Sequence, residues 1–290
     1  MLEKTYTIKS GPPIPSADEY EASATNEYQR LLASVTNEKS MQEFLERNPC
    51  FVPGALTPGG GSGHFPFLCA LVSQPKLTGL RSRQPDFMWI AVHSLTWYPI
   101  LIEIENPNKR IFKADAIPSH HFTQARNQLA QWRAWFNEPV NVQKFITEYG
   151  IPEDYTKYRR MQPHFMLIYG RRDEFANDIE LSKQRGVLMT SADEELISFD
   201  RLHPNLALRD AITVRAAGYG RYRVTAVMPT IEMGPVLADR LPHLDNLEET
   251  IDVDTRIPQA RRDFLQERIP YWRSWAKQPE HGIVNTGDRE

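Results

Sequence analysis

Three carboxylates carry the chemistry this sequence offers. Asp86 stands in Pro85-Asp86-Phe87, just ahead of an apolar run over 87–92. Glu103 and Glu105 close a second apolar run over 97–105. Both runs read as β-strands, with His93-Ser94-Leu95-Thr96 as the turn of a hairpin. Folding about that turn sets Asp86 opposite Glu103, and directly opposed residues of an antiparallel pair share a face. Glu103 and Glu105 are two residues apart and share it as well, which leaves Ile100, Ile102 and Ile104 for the other face. Crowded carboxylates repel one another. A hard divalent cation, Mg²⁺ or Mn²⁺, held by Asp86, Glu103 and Glu105 would neutralise them and generate a hydrolytic nucleophile from water. Glu105 is then a third ligand or a general base. The plainer reading of the same pattern is acidic strand ends facing water.

Elements on either side must position these groups. A helix over 119–136 follows, with Phe122, Ala125, Leu129, Trp132 and Phe136 at three- and four-residue steps as its core stripe. His121, Gln124 and Gln128 share a neighbouring face and can present polar groups to a phosphate or to metal-bound water. Lys109, Arg110 and Lys113 follow the carboxylates, and Arg81 and Arg83 precede them. Together these five form a strip suited to backbone phosphates. Glu38, on a helix over 38–48, is a further acid whose simpler reading is a solvated first turn.

With 290 residues, 41% hydrophobic and 10% aromatic, the chain can bury a sizeable core. Its net charge of −3 means that nucleic-acid binding would have to rest on a local basic patch. Cys50 and Cys69 are the only cysteines, too few for a Cys₄ zinc site, and free thiols suit a reducing compartment. The N-terminus does not read as a signal peptide and no apolar run approaches about 18 residues, which predicts a cytoplasmic protein without a membrane span.

The expected organisation is a mobile arm over 1–25, a core over 26–205, strands and a helix packed on it over 206–277, and a frayed tail over 278–290. Helices are expected over 26–35 and 38–48, and strands over 64–73, 85–92, 97–105, 163–169 and 187–190. Further strands are expected near 212–215 and 221–227, and a last helix over 258–277. Gly59-Gly60-Gly61-Ser62-Gly63 lacks the Gly-Lys-Ser/Thr ending of a phosphate loop and reads as a flexible connection. The last helix carries Arg261, Arg262, Arg268 and Arg273, and its Trp272 and Trp275 are placed to pack rather than to stack on bases. Periodicity supports an α/β (α+β) mixed sheet.

The order Pro85-Asp86-Phe87, strand, Ile102-Glu103-Ile104-Glu105-Asn106-Pro107, basic loop, then a Gln-rich helix resembles the Shedu family of anti-phage proteins. Glu38 to Pro49, Gly186 to Thr190 and Phe199 to Leu202 fit the same likeness, which runs over about 27–202. The resemblance implies a PD-(D/E)XK, restriction-endonuclease-like αβββαβ core with a C-terminal elaboration. It implies a metal-dependent DNA endonuclease of a phage-defence system, with a phage component as trigger and a homo-oligomer, commonly a tetramer. One position departs from the pattern. Where the superfamily has Lys two residues after the second acid, this chain has Glu105; Lys109, four residues further on, is the candidate to reach back in its place, with Arg110 the weaker one. A catalytically weak or inactive module that binds DNA or phage components is the alternative reading of that departure.

Overall fold

A computed structural model of the chain describes residues 3–34, 37–58, 64–79, 84–189, 191–278 and 282–290. Arg81, Arg83, Thr190 and the glycine-rich stretch 59–63 lie outside the described residues.

The sheet is built around a fully buried strand. Strand β2 (Phe87–Val92) pairs antiparallel with β1 (Ala70–Ser73) on one side and with β3 (Thr96–Ile104) on the other. Every residue of β2 is buried, as expected of a continuous apolar run covered on both faces. Beyond β3 lie β5 (His164–Ile168) and β6 (Glu194–Ile197), both parallel to it, and the short β4 (Arg160–Met161) pairs with the start of β3. Beyond β1 the sheet continues into β7 (Ile212–Gly218), β8 (Arg221–Val227) and β9 (Leu244–Asp245). The C-terminal strands therefore extend the central sheet, joined to it by the parallel pairing of β7 with β1.

Helices cover both faces. On one face lie α1 (Ala17–Ser34) and α2 (Glu38–Arg47), whose Tyr28, Phe44 and Leu45 pack with Phe87, Trp89, Ile100, Ile102 and Ile104. On the other lie α3 (His120–Phe136), α4 (Pro139–Tyr149) and α9 (Gln259–Trp275), against Met88, Ile90, Leu101 and Leu167. The remaining helices are α5 (Glu153–Tyr158), α6 (Ile179–Gly186), α7 (Pro235–Ala238) and α8 (Leu247–Val253). The expected stripe of α3 is the one it buries, with Phe122, Ala125, Leu129, Trp132 and Phe136 all in the core. Ser119 caps that helix, its side chain accepting from the Phe122 N–H. Among the described residues, no helix is long and apolar enough to cross a membrane.

Several expectations need correction. The first helix starts at Ala17, not near residue 26, so much of the expected arm is helical. Ahead of it, Tyr6 is buried against Trp272 and Trp275, with ring centroids 5.6 and 5.5 Å away. The C-terminal residues pack as well: buried Glu290 accepts from the guanidinium of Arg261. Residues 64–66 form no strand; a 3-10 turn at Phe67–Cys69, with Leu68 at φ 57°, delays the strand to Ala70. The strand expected over 187–190 is also absent from its described residues. Asp178 caps α6 by accepting from the Leu181 N–H, and the helix runs on through Gly186. Val187 is left exposed just past its end, and the strand that pairs with β5 is β6.

Candidate functional site

The hairpin sets the first two carboxylates together. Phe87 pairs with Ile102, so the next pair outward is Asp86 and Glu103. Asp86 lies just beyond the strand, and its Oδ2 accepts from the Ile104 backbone N–H at 2.8 Å. Its carboxylate thus substitutes for a ladder acceptor at the open end of the hairpin. Ile100, Ile102 and Ile104 fill the opposite face, as the alternation requires.

Glu103 points toward α3 and is buried. One carboxylate oxygen accepts from Gln128 Nε2 at 2.7 Å, while Oε2 is buried without a hydrogen-bond partner. The Glu105 backbone N–H donates to the Ile168 carbonyl at 3.1 Å, which extends the parallel ladder with β5 by one residue. Its carboxylate is paired with Lys109 Nζ. That pairing follows from the local sequence. Asn106 Oδ1 accepts from the Asn108 N–H at 2.9 Å, and the Asn106 carbonyl accepts from the Lys109 N–H at 2.9 Å. The result is a tight Asx-type turn that folds Lys109 back over Glu105.

A fourth carboxyl group arrives from another element. Glu38 opens α2 behind its Asn37 cap and lines the same open cleft of about 430 Å³ as Asp86, Glu105, Lys109, Gln124 and Gln128. Gln74, just after β1, and Gln84 complete the rim. The crowding is electrostatically costly. Burial pushes Asp86 up to about 7, with Glu38, Glu105 and Glu46 adding to the rise and the Ile104 N–H opposing it. Burial first, then the neighbouring Asp86, holds Glu103 well above the ordinary carboxylate range, against the stabilising Gln128 amide. Burial and then Glu105 raise Glu38, while Lys109 opposes the rise. Among the described residues, no three His, Cys, Asp or Glu side chains converge as a ready-made metal cage. The carboxylates form a cluster in which Glu105 is already engaged by a lysine.

Other expected residues fall differently. Gln124 lines the cleft. Gln128 also lines the cleft, but it is largely buried and its amide donates to Glu103. His121 is exposed and lies outside the cleft lining, next to His120 at 6.0 Å between ring centroids. Lys113 is exposed and also lies outside the lining. Arg110 extends into solvent, 3.8 Å from Glu174, in an adjoining depression shared with Lys109 and Arg171. Glu38 is the acid that sequence reasoning set aside as helix surface. Gln74 and Gln84 gave only a weak signal, as polar residues flanking the ends of apolar strands.

Residues 35–203 match the family model for the C-terminal region of the Shedu protein SduA. The match spans more than half of the chain and includes every carboxylate of the cluster. The chain belongs to the Shedu family. Membership points to a role in anti-phage defence. Among curated proteins, none matches the chain. The Shedu match ends just before β7, so β7, β8 and α9 lie outside it, although they are continuous with the sheet that carries the cluster.

Proposed function

We propose that this Shedu protein is a divalent-metal-dependent DNA endonuclease built on a restriction-endonuclease-like core. The order α2, β1, β2, β3, α3, β5 supports that reading, because it follows the αβββαβ succession of such cores. The observation that carries it is Glu103 Oε2, a buried carboxylate oxygen without a partner beside a second carboxyl group that burial holds near neutral pKa. A buried, unpaired acceptor is costly. A hard cation is the partner that this all-oxygen donor set fits.

Asp86 and Glu103 would hold Mg²⁺ or Mn²⁺, with Glu105 as third ligand or general base. The bound cation supplies Lewis-acid polarisation of a phosphoryl oxygen and a water of lowered pKa. Gln128 fixes the rotamer of Glu103 through its amide. Lys109 takes the role of the lysine missing at position 105: its ammonium stands over Glu105 inside the cleft and can meet charge that develops on phosphate. Gln124 borders the same space and can orient a phosphate or a water.

The test is incubation of the full chain with linear and circular DNA in Mg²⁺, Mn²⁺ or EDTA, beside an Asp86→Ala control. Metal-dependent cleavage lost in the variant supports the reading. DNA binding without cleavage in any metal would instead identify a catalytically inactive nuclease-like module.

A further inference from the structure

Three arginines converge beyond the ends of β5 and β6, at the edge of the sheet. Arg172 follows β5, Arg185 ends α6 and Arg201 follows β6, and all three line a pocket of about 330 Å³ with Ser182, Ser198 and Phe175. No carboxylate lines this pocket. Two acids adjoin these arginines in sequence: Asp200 pairs with Arg171 and accepts from the Arg172 backbone N–H at 2.6 Å, and Asp173 lines the neighbouring depression with Lys109 and Arg110. Among the described residues, no ion pair neutralises Arg172, Arg185 or Arg201. Arg185 is fixed by its place over the Phe175 ring, 5.2 Å from the centroid, and by donating to the Leu196 carbonyl at 3.2 Å. Its Nε is buried without a partner. Burial, then Arg201 and Arg172, lowers its pKa, which only Glu174 opposes.

Like charges gathered in a pocket without a counter-ion repel, and guanidinium groups are suited to bridging phosphate oxygens. The pocket also has a defined relation to the carboxylates. Strands β3, β5 and β6 run parallel; Glu105 directly follows β3, and Arg172 and Arg201 each lie four residues past the ends of β5 and β6, in 3-10 turns. Two strand spacings separate β3 from β6, or about 10 Å, the rise of about three nucleotides of duplex.

We infer that Arg172, Arg185 and Arg201 form a binding site for a backbone phosphate of the nucleic acid whose scissile bond lies at the carboxylate cluster. The site rests on the nuclease reading proposed above and extends its contact surface along the sheet edge. Because three guanidiniums share one pocket, they would neutralise one phosphate between them.

The test uses the full chain in EDTA, with affinity for a short DNA duplex measured against salt concentration. Arg172 and Arg201 are exposed, so R172Q/R201Q should keep the thermal midpoint of the parent. The double variant should lose about one unit of the log–log salt slope and about tenfold in affinity. R30Q, which removes an exposed arginine from α1, should leave the slope unchanged. An unchanged slope in R172Q/R201Q, with the parent binding DNA, overturns the site and leaves the nuclease reading standing. An equal loss in R30Q reduces the effect to net charge and overturns it too. Failure of the parent to bind DNA removes both. Calorimetry with inorganic phosphate separates the remaining source: heat that the double variant abolishes, with its DNA slope unchanged, means a free phosphorylated compound and overturns the assignment to nucleic acid.

Discussion

At the scale of the residue, a proton and the proposed cation would compete for the same oxygens. Asp86 is held up to about 7, and Glu103 is also raised, so each keeps a proton in the folded state at pH values where the unfolded chain has lost it. A raised acid makes stability fall as pH rises through the interval between the two values, here from about 4 toward 7. The metal-free protein should therefore show a declining thermal midpoint across that window. Added Mn²⁺ should restore more of it at pH 8 than at pH 5, because binding to carboxylates displaces protons. A midpoint that rises from pH 4 to 7 without metal would contradict the environment described for these groups. Calorimetric titration with Mn²⁺ should give binding that Asp86→Ala or Glu103→Ala abolishes. Glu105→Ala separates its two roles: a ligand loses metal affinity and turnover together, whereas a base loses turnover with affinity nearly intact. Unchanged turnover and affinity would exclude both.

At the scale of the element, the turn after β3 places a lysine over Glu105, and under the proposed nuclease reading it would do what the motif lysine does. Asn106 shapes a loop that returns Lys109 to Glu105. Replacing Asn106 with Ala should cost roughly 1 kcal/mol or less of stability but lower single-turnover cleavage at saturating DNA, in step with Lys109→Ala. Wild-type cleavage by both variants would show that Lys109 has no part in the chemistry. Helix α3 has a similar duty through Gln128. Gln128→Leu leaves Glu103 without its amide donor and should cost about 1–3 kcal/mol, read as a lower urea midpoint, and should weaken Mn²⁺ binding as the Glu103 carboxylate loses its fixed orientation.

At the scale of the whole molecule, the terminal helix serves the core. Arg261 is buried and paired with Glu290, and Arg268 reaches the Thr7 carbonyl at 2.7 Å. Arg261→Ala strands a buried carboxylate and should destabilise by about 3–5 kcal/mol, so any loss of DNA binding in it would follow loss of fold. Arg262, only partly buried, is the appropriate control on that helix. Lys109→Ala/Arg110→Ala should weaken binding equally across DNA sequences, because phosphate contacts position without specifying, and should lower the melting temperature less than Arg261→Ala does, because Glu105 borders the open cleft whereas Arg261 is buried in the core. A melting curve and an anisotropy titration on these three variants separate the two outcomes.

The sequence by itself determined the hairpin, its register and the division of its faces, because period-2 alternation and a short turn leave one pairing that buries the isoleucines. It also determined the core stripe of α3, whose spacing repeats along a single helix. Tertiary structure decided what no local pattern encodes. Whether Glu38 faces solvent or the cleft depends on how α2 packs over Phe87 and Ile102, a contact between distant segments. That the Gln128 amide meets Glu103 depends on the seat of α3 on the sheet. The arginine pocket joins residues after β5, on α6 and after β6, which become neighbours only through parallel pairing. The strand expected over 187–190 differs for a related reason: an apolar triplet reads alike whether it enters a ladder or follows a helix, and the β5 edge pairs with Glu194–Ile197. Local periodicity reports which face of an element is buried. Which partner buries it, and which side chains then meet, is set by contacts between residues far apart in the chain.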